Sequence, residues 1–204
     1  MNLSNAPTKG TLINLKKSLN LAKLGFELID KKRNILIKEM MTLIEVAKSI
    51  RNEIEQTFQK AYLTLQTANI TLGICEEIAK SIPVENGISI TYKSIMGVEI
   101  PKVKLNSDLN LKAYGLSKTN SQLDLAYLNF YKTKKISAVL AEIENSVYKL
   151  AKEIKKTQRR VNALKNVNIP KIENEIKKIS DYLEEKEREE FSRLKLIKKQ
   201  KVKV

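Results

Sequence analysis

Apolar residues early in the chain fall at Leu12, Leu15, Leu19, Ala22, Phe26 and Ile29, then at Leu36, Met40, Leu43, Ala47, Ile50 and Ile54. The steps alternate between three and four, the seam of a helix that pairs with another helix, and the seam is interrupted at Arg33 where an apolar residue is due. After Ile54 the next apolar residue on this face is Phe58, a four following a four, and the spacing resumes through Ala61, Leu65, Ala68, Leu72, Cys75 and Ala79. An extra step of this kind is a stutter, which locally unwinds a supercoil. The pattern predicts one helix from about Thr11 to about Lys80, on the order of 100 Å long at about 1.5 Å per residue.

Between Ser81 and Gly115 the pattern changes, and three of the six glycines and two of the four prolines fall there. ISITYKSI alternates apolar and polar residues, Met96-Gly97 offers a turn, and VEIPKVKL follows, which predicts a β-hairpin with Pro101 on an edge strand. A second helix opens near SKTNSQLD, with Thr119 or Ser121 as N-cap and Asp124 completing a capping box. Its seam reads Ile136, Leu140, Ile143, Val147, Leu150, Ile154, Thr157, Val161 and Leu164, then Ile172, Ile176, Ile179 and Leu183, and later Leu194 and Ile197.

Each seam is too narrow to be stable alone, so the two helices are expected to fold back on each other. The predicted fold is mainly α: a long antiparallel two-helix coiled coil with a short β-hairpin insert at the turn end. Residues 1–80 form the first helix, with a flexible start over 1–10; 81–117 are the insert, 118–200 the second helix and 201–204 a tail, all in one structural unit. Pro170 stands inside the second helix, where a proline costs about 3 kcal/mol. Between Leu164 and Ile172 the steps read four and four through Asn168, a second stutter, so a bend at Pro170 disturbs the packing least there.

Composition supports this reading: no Trp, few Pro and Gly, and abundant Leu, Ile, Lys and Glu are the profile of long helices. A net charge of +15 suggests an anionic partner, whether nucleic acid, a membrane surface or an acidic protein cavity. A single cysteine and no histidine fit a reducing, cytosolic setting. No signal pattern opens the chain, and the charge-free stretch AYLTLQTANITLGIC is too short to span a bilayer.

Catalytic constellations are not found. GLSKT at Gly115 lacks the spacing of a phosphate-binding loop, since Lys112 and Ser117 stand where that motif differs, and it reads as the loop before a helix cap. Glu184 to Glu190 lie among Lys and Arg on a helix, the mark of a solvated, ion-paired face and not of a metal site. Cys75 falls on the apolar seam, which suits a buried structural role. No catalytic, cofactor-binding or metal residue is therefore expected.

QRRVNALKNVNIPKIENEI, followed by EEKEREEFSRLKLIKK, resembles the C-terminal helix of the D subunit of the V-type and A-type rotary ATPases. PTKGTLINLKKSLNLAKLGFELIDKKRNIL is similar to the start of that family, and IMGVEIP to its central insert; Lys165 departs from the usual Glu. The resemblance implies a non-catalytic rotor shaft with paired termini inside a ring of A and B subunits, and with its middle directed toward the membrane sector. The implied partners are the A and B subunits, the F subunit along the coiled coil, and the membrane-rotor adaptor, called the C or d subunit, at the base. It implies a cytoplasmic protein peripheral on the membrane, with neither nucleic acid nor direct membrane insertion.

Arg159, Arg160 and Asn162 sit beside seam residues and are candidate contacts to the ring or to the F subunit. Pro170 is a candidate for a bend that sets part of the shaft off its axis. Met96 and Gly97 on the insert, and Lys195 and Lys198 in the Lys-rich end, complete the partner-contact candidates. Two other classes use the same features: a basic coiled-coil nucleic-acid binder, with salt-sensitive phosphate contacts, and a prefoldin-like chaperone. The scattered lysines and the single hairpin argue against them.

Overall fold

The computed structural model describes residues 7–82, 84, 87–106, 114–115 and 119–201. The start at 1–6, the tail residues 202–204 and residues 116–118 of the GLSKT loop lie outside the described residues. The described elements are α1 (Lys9–Leu72), α2 (Glu76–Ser81), β1 (Ile88–Ile95), β2 (Val98–Leu105), α3 (Ser121–Ala163), a π-helical turn (Leu164–Asn168) and α4 (Ile169–Lys201). The fold is mainly α, with two long helical stretches and one small hairpin. The chain divides into two contact units, residues 1–34 with 155–204, and residues 35–154.

In the first unit, Thr8 caps α1. The Thr11 N–H donates to Thr8 Oγ1 at 3.2 Å, and the Thr8 N–H donates back to Thr11 Oγ1 at 3.1 Å. Contacts between α1 and the C-terminal stretch run in opposite senses: Lys9 meets Glu187 at 2.8 Å, Lys23 meets Glu173 at 2.8 Å, and Arg33 donates to Gln158 at 3.0 Å. The helices are antiparallel here, and the expected seam from Leu12 to Ile29 is half-buried. Leu194 and Ile197, placed on the seam by their spacing, are instead exposed. Lys9, the first residue of α1, already lies opposite Glu187, so beyond that level no helix among the described residues covers them.

The second stutter takes a different form from the one the spacing suggested. Asn168 is exposed while Ile169 is half-buried, so the seam steps five residues from Leu164 to Ile169. A π-helical turn accommodates such a step, and the Ile169 N–H accordingly bonds the Leu164 carbonyl. Pro170 follows directly on the π turn in a helix that continues through it, with Ala163 and Ile169 both in helical conformation, so the wider turn and not a free helix start spaces the proline from the preceding carbonyls.

In the second unit α1 and α3 are again antiparallel. Arg51 meets Glu144 at 3.0 Å, the Asn129 amide donates to Thr64 at 3.3 Å, and the Thr71 hydroxyl donates to Gln122 at 3.0 Å. Buried Ala61, Ala68, Ala126, Thr133 and Ser146 are small enough for close approach of the helices. The Thr133 and Ser146 hydroxyls are satisfied by the carbonyls of Asn129 and Glu142.

The stutter expected at Phe58 is not present: Ile54 and Ala61 are buried, Thr57 between them is half-buried, and Phe58 is exposed. The seam runs on through Thr57 and Thr64, whose hydroxyls bond the carbonyls of Ile54 and Ala61 at 2.9 Å each. With its hydroxyl satisfied, threonine presents a methyl group and serves as an apolar residue. The helix also ends earlier than expected, at Leu72. Gly73 adopts φ 80°, a left-handed cap open to glycine, and its N–H bonds the Asn69 carbonyl.

β1 and β2 pair antiparallel, from Ile95 opposite Val98 to Ile88 opposite Leu105. Met96 at φ 50° and Gly97 at φ 77° form the two-residue turn whose twist suits a hairpin. Although joined in the segment between α1 and α3, the hairpin folds back along those helices. Val98 and Ile100 pack with Leu36 and Leu150 in one buried cluster, and Met40, Leu43, Ile95 and Ile154 surround it. It is therefore not confined to the turn end. A second cluster, Ala68, Cys75, Tyr114 and Leu123, lies by α2 and the start of α3.

The N-cap of α3 also differs. Asn120 precedes the first helical residue, Ser121, and its carbonyl accepts from the Leu123 N–H. Asp124 does not close a capping box; its carboxylate accepts the Tyr114 hydroxyl.

Candidate functional site

Surfaces, not a cleft, carry the candidate chemistry. In the first unit Arg159 and Arg160 are exposed, and neither has an ion pair among the described residues. Asn162 ends a polar chain that begins on α1. Asp30 pairs with Arg33 at 2.8 Å, Arg33 donates to Gln158 at 3.0 Å, and Gln158 donates to Asn162 at 2.8 Å. Arg33, the break in the apolar seam, is thus satisfied from both helices and orients Asn162. The spacing flagged Arg33 only as an interruption; Asp30 and Gln158 carry no sequence signal beyond being polar near it.

At the far end of α4, Lys195 and Lys198 are exposed beside Phe191, Leu194, Leu196 and Ile197, of which Phe191 is 68% and Leu194 64% exposed. On α1 of the same unit Leu21, Leu24 and Leu28 are also exposed. Apolar residues of this size outside a core mark a surface meant to be covered. The level-matching Lys9–Glu187 pair raises the lysine pKa and lowers the carboxylate pKa, chiefly through their hydrogen bond.

In the second unit Met96 is exposed at the hairpin turn and Gly97 follows it, so both are reachable. Around α2 the apolar residues Ile70, Ile74 and Val84 are exposed, beside a groove of about 390 Å³ lined by Cys75, Ile78, Ile82, Leu123, Tyr127 and Phe130. Cys75 is buried there as expected. Tyr114, buried in the same cluster and bonded to Asp124, has its phenol pKa pushed well above the usual value, burial being the larger cause.

A model of the family of ATP synthase D subunits matches residues 11–199. The chain belongs to this family. It is 46% identical to the D subunit of the V-type ATP synthase of Thermotoga neapolitana, over 96% of this chain and 98% of that protein. It is 39% identical to the D subunit of the A-type ATP synthase of Methanosphaera stadtmanae, over 95% of this chain and 92% of that one. With the corresponding A-type D subunit of Pyrococcus horikoshii the identity is 37%, over 94% and 92%. The D subunit is the non-catalytic rotor shaft of these ATPases. Among the described residues no group of three or more Cys, Asp or Glu could hold a metal ion, and no helix is long and apolar enough to cross a membrane.

Proposed function

We propose that this chain is the central shaft of a V/A-type rotary ATPase, its helices wound as an antiparallel coiled coil, coupling ATP turnover in a ring of A and B subunits to ion translocation by a membrane ring. The observation that carries the reading is the family match over residues 11–199, laid on helices that run antiparallel within each unit.

The shaft works by asymmetry. A pair of helices matches no threefold ring, so it presents a different face to each catalytic interface, and turning it exchanges their states. The exposed apolar residues Leu21, Leu24, Leu28, Phe191 and Leu194, with Lys195 and Lys198, form the bearing against the A and B subunits. Apolar contact is non-directional and exposed ion pairs are worth only about 0–1 kcal/mol each, so such a surface slides without locking. Arg159, Arg160 and the oriented Asn162 contact the ring or the F subunit. The apolar surface around Ile70, Ile74 and α2 meets the adaptor, the C or d subunit, leaving the protein peripheral on the cytoplasmic side.

The test is the composition and ATPase activity of what co-purifies with a tagged copy from gently solubilised membranes. Nucleotide-hydrolysing A and B subunits support the shaft. Co-elution with nucleic acid points to the basic binder, and a lone homo-oligomer to the chaperone class; either overturns it.

A further inference from the structure

The two edges of the hairpin are treated differently. Its two-residue turn makes Ile95 and Val98 the first hydrogen-bonded pair, so bonded and non-bonded pairs alternate from there. Tyr92 with Pro101 and Ile90 with Val103 are then non-bonded pairs, whose backbone groups point away from the ladder. The bond from the Asn106 N–H to the Gly87 carbonyl continues the same alternation.

By the same alternation the outward positions of β2 are Glu99, Pro101, Val103 and Leu105, and the donors of the two central ones are disposed of. Pro101 has none, and the Val103 N–H donates to the Glu142 carboxylate of α3 at 2.7 Å. On the β1 edge the outward groups of Ile88, Ile90, Tyr92 and Ser94 have no partner among the described residues. That strand is eight residues long, with no proline or glycine, and Ile88, Ile90 and Tyr92 are 59%, 56% and 62% exposed. An eight-residue edge with exposed apolar residues, blunted only by Lys93, is a template for another strand, and proteins otherwise protect such edges.

We propose that β1 accepts an extended segment of another protein of the complex as a third strand, with apolar residues at alternate positions and acidic residues between them. The alternation follows from the backbone register: apolar side chains of the added strand lie beside Ile88, Ile90 and Tyr92 over the groove between the hairpin and Ala138, Ala141 and Asn145 of α3, about 390 Å³ in volume. The acidic preference follows from charge. The hairpin carries Lys93, Lys102 and Lys104 against Glu99 alone, and Lys149 lies over the Tyr92 ring at 4.9 Å. The proposal rests on the rotor reading for its partner's source.

Backbone amide exchange, compared between the full chain alone and the purified ATPase complex, tests it. Strand addition slows exchange at Ile90 and Tyr92 by more than about tenfold in the complex, whereas Thr91 and Lys93, already bonded to β2, change little. Ile90→Pro removes one outward donor without breaking a ladder bond, as Pro101 does on β2, and abolishes the protection of Tyr92. Ile90→Thr keeps the donor and the protection, which separates strand addition from a folding defect. Outward amides that exchange equally in both states overturn the proposal, as does protection that survives Ile90→Pro, which means side-chain cover alone. Concentration-dependent protection in the isolated chain means pairing of two copies and also overturns it. Absence of A and B subunits from the preparation removes the rotor reading itself, and the proposal with it.

Discussion

Deleting Asn166 shortens the seam step from Leu164 to Ile169 from five residues to four, so an unbroken α-helix carries the isoleucine to the buried face without a π turn. Pro170 then lies in an ordinary helix interior, where the lost bond and the clash with the preceding turn cost about 3 kcal/mol. Pro170→Ala alone relieves little, because the π turn already spaces the proline from that carbonyl, and the expected change is below about 1 kcal/mol. In the double variant the helix is α throughout, and the deletion penalty largely disappears. The predicted coupling between the two changes is about 2–3 kcal/mol, against about 0.5 kcal/mol for independent sites. Urea unfolding of the four full-length proteins, followed by helix content, measures it. If deletion costs the same with proline as with alanine, the five-residue step does not explain how Pro170 is tolerated.

Leu150→Ala should destabilise the second unit by about 2–5 kcal/mol, since Leu150 is fully buried against Leu36, Val98 and Ile100, and urea unfolding checks it. Tyr114 has a folded pKa above its unfolded value of 10.0, so its contribution is present below that pH and is lost as pH rises beyond it. Tyr114→Phe should flatten the alkaline fall in stability, and a fall of unchanged steepness counts against the assignment. The Lys9–Glu187 pair operates between the lowered carboxylate pKa and the raised ammonium pKa, and its contribution is lost as pH falls through the first or rises through the second. In an NMR titration Glu187 should protonate below 4.5 and return toward 4.5 in Lys9→Gln or at high salt.

The helices, the hairpin and its turn were legible because each rests on local chemistry. Period-two alternation needs no partner to be read, and Met96-Gly97 is a turn wherever two strands flank it. The half-buried stretch from Leu12 to Ile29 was equally readable, since every seam position there is an aliphatic or aromatic residue. The contact surfaces were less so. Lys195 and Lys198 were visible as a basic end, but the exposure of Leu194 and Ile197 depends on where α1 begins, and no spacing within α4 contains that information.

The two stutters show why residue type alone misplaces a seam. At Thr57 a hydroxyl bonded to the Ile54 carbonyl leaves a methyl group facing the partner helix, so a polar letter occupies an apolar position and Phe58, the greasier choice, goes outside to stack on Tyr62. At Asn168 the opposite holds: the spacing required a residue there, but burying its amide without a partner costs more than opening one helical turn, so the backbone lengthens to bring Ile169 inward. In the first case a side chain hides its polarity in its own helix, and the regular period survives. In the second an amide keeps an unpaired oxygen even when its N–H bonds a carbonyl four residues back, as Asn145 does to Ala141, and the period gives way. Which outcome holds at a given seam position depends on whether one bond to a carbonyl three or four residues back satisfies the whole side chain, as it does a hydroxyl but not an amide, and a hydropathy pattern does not encode that.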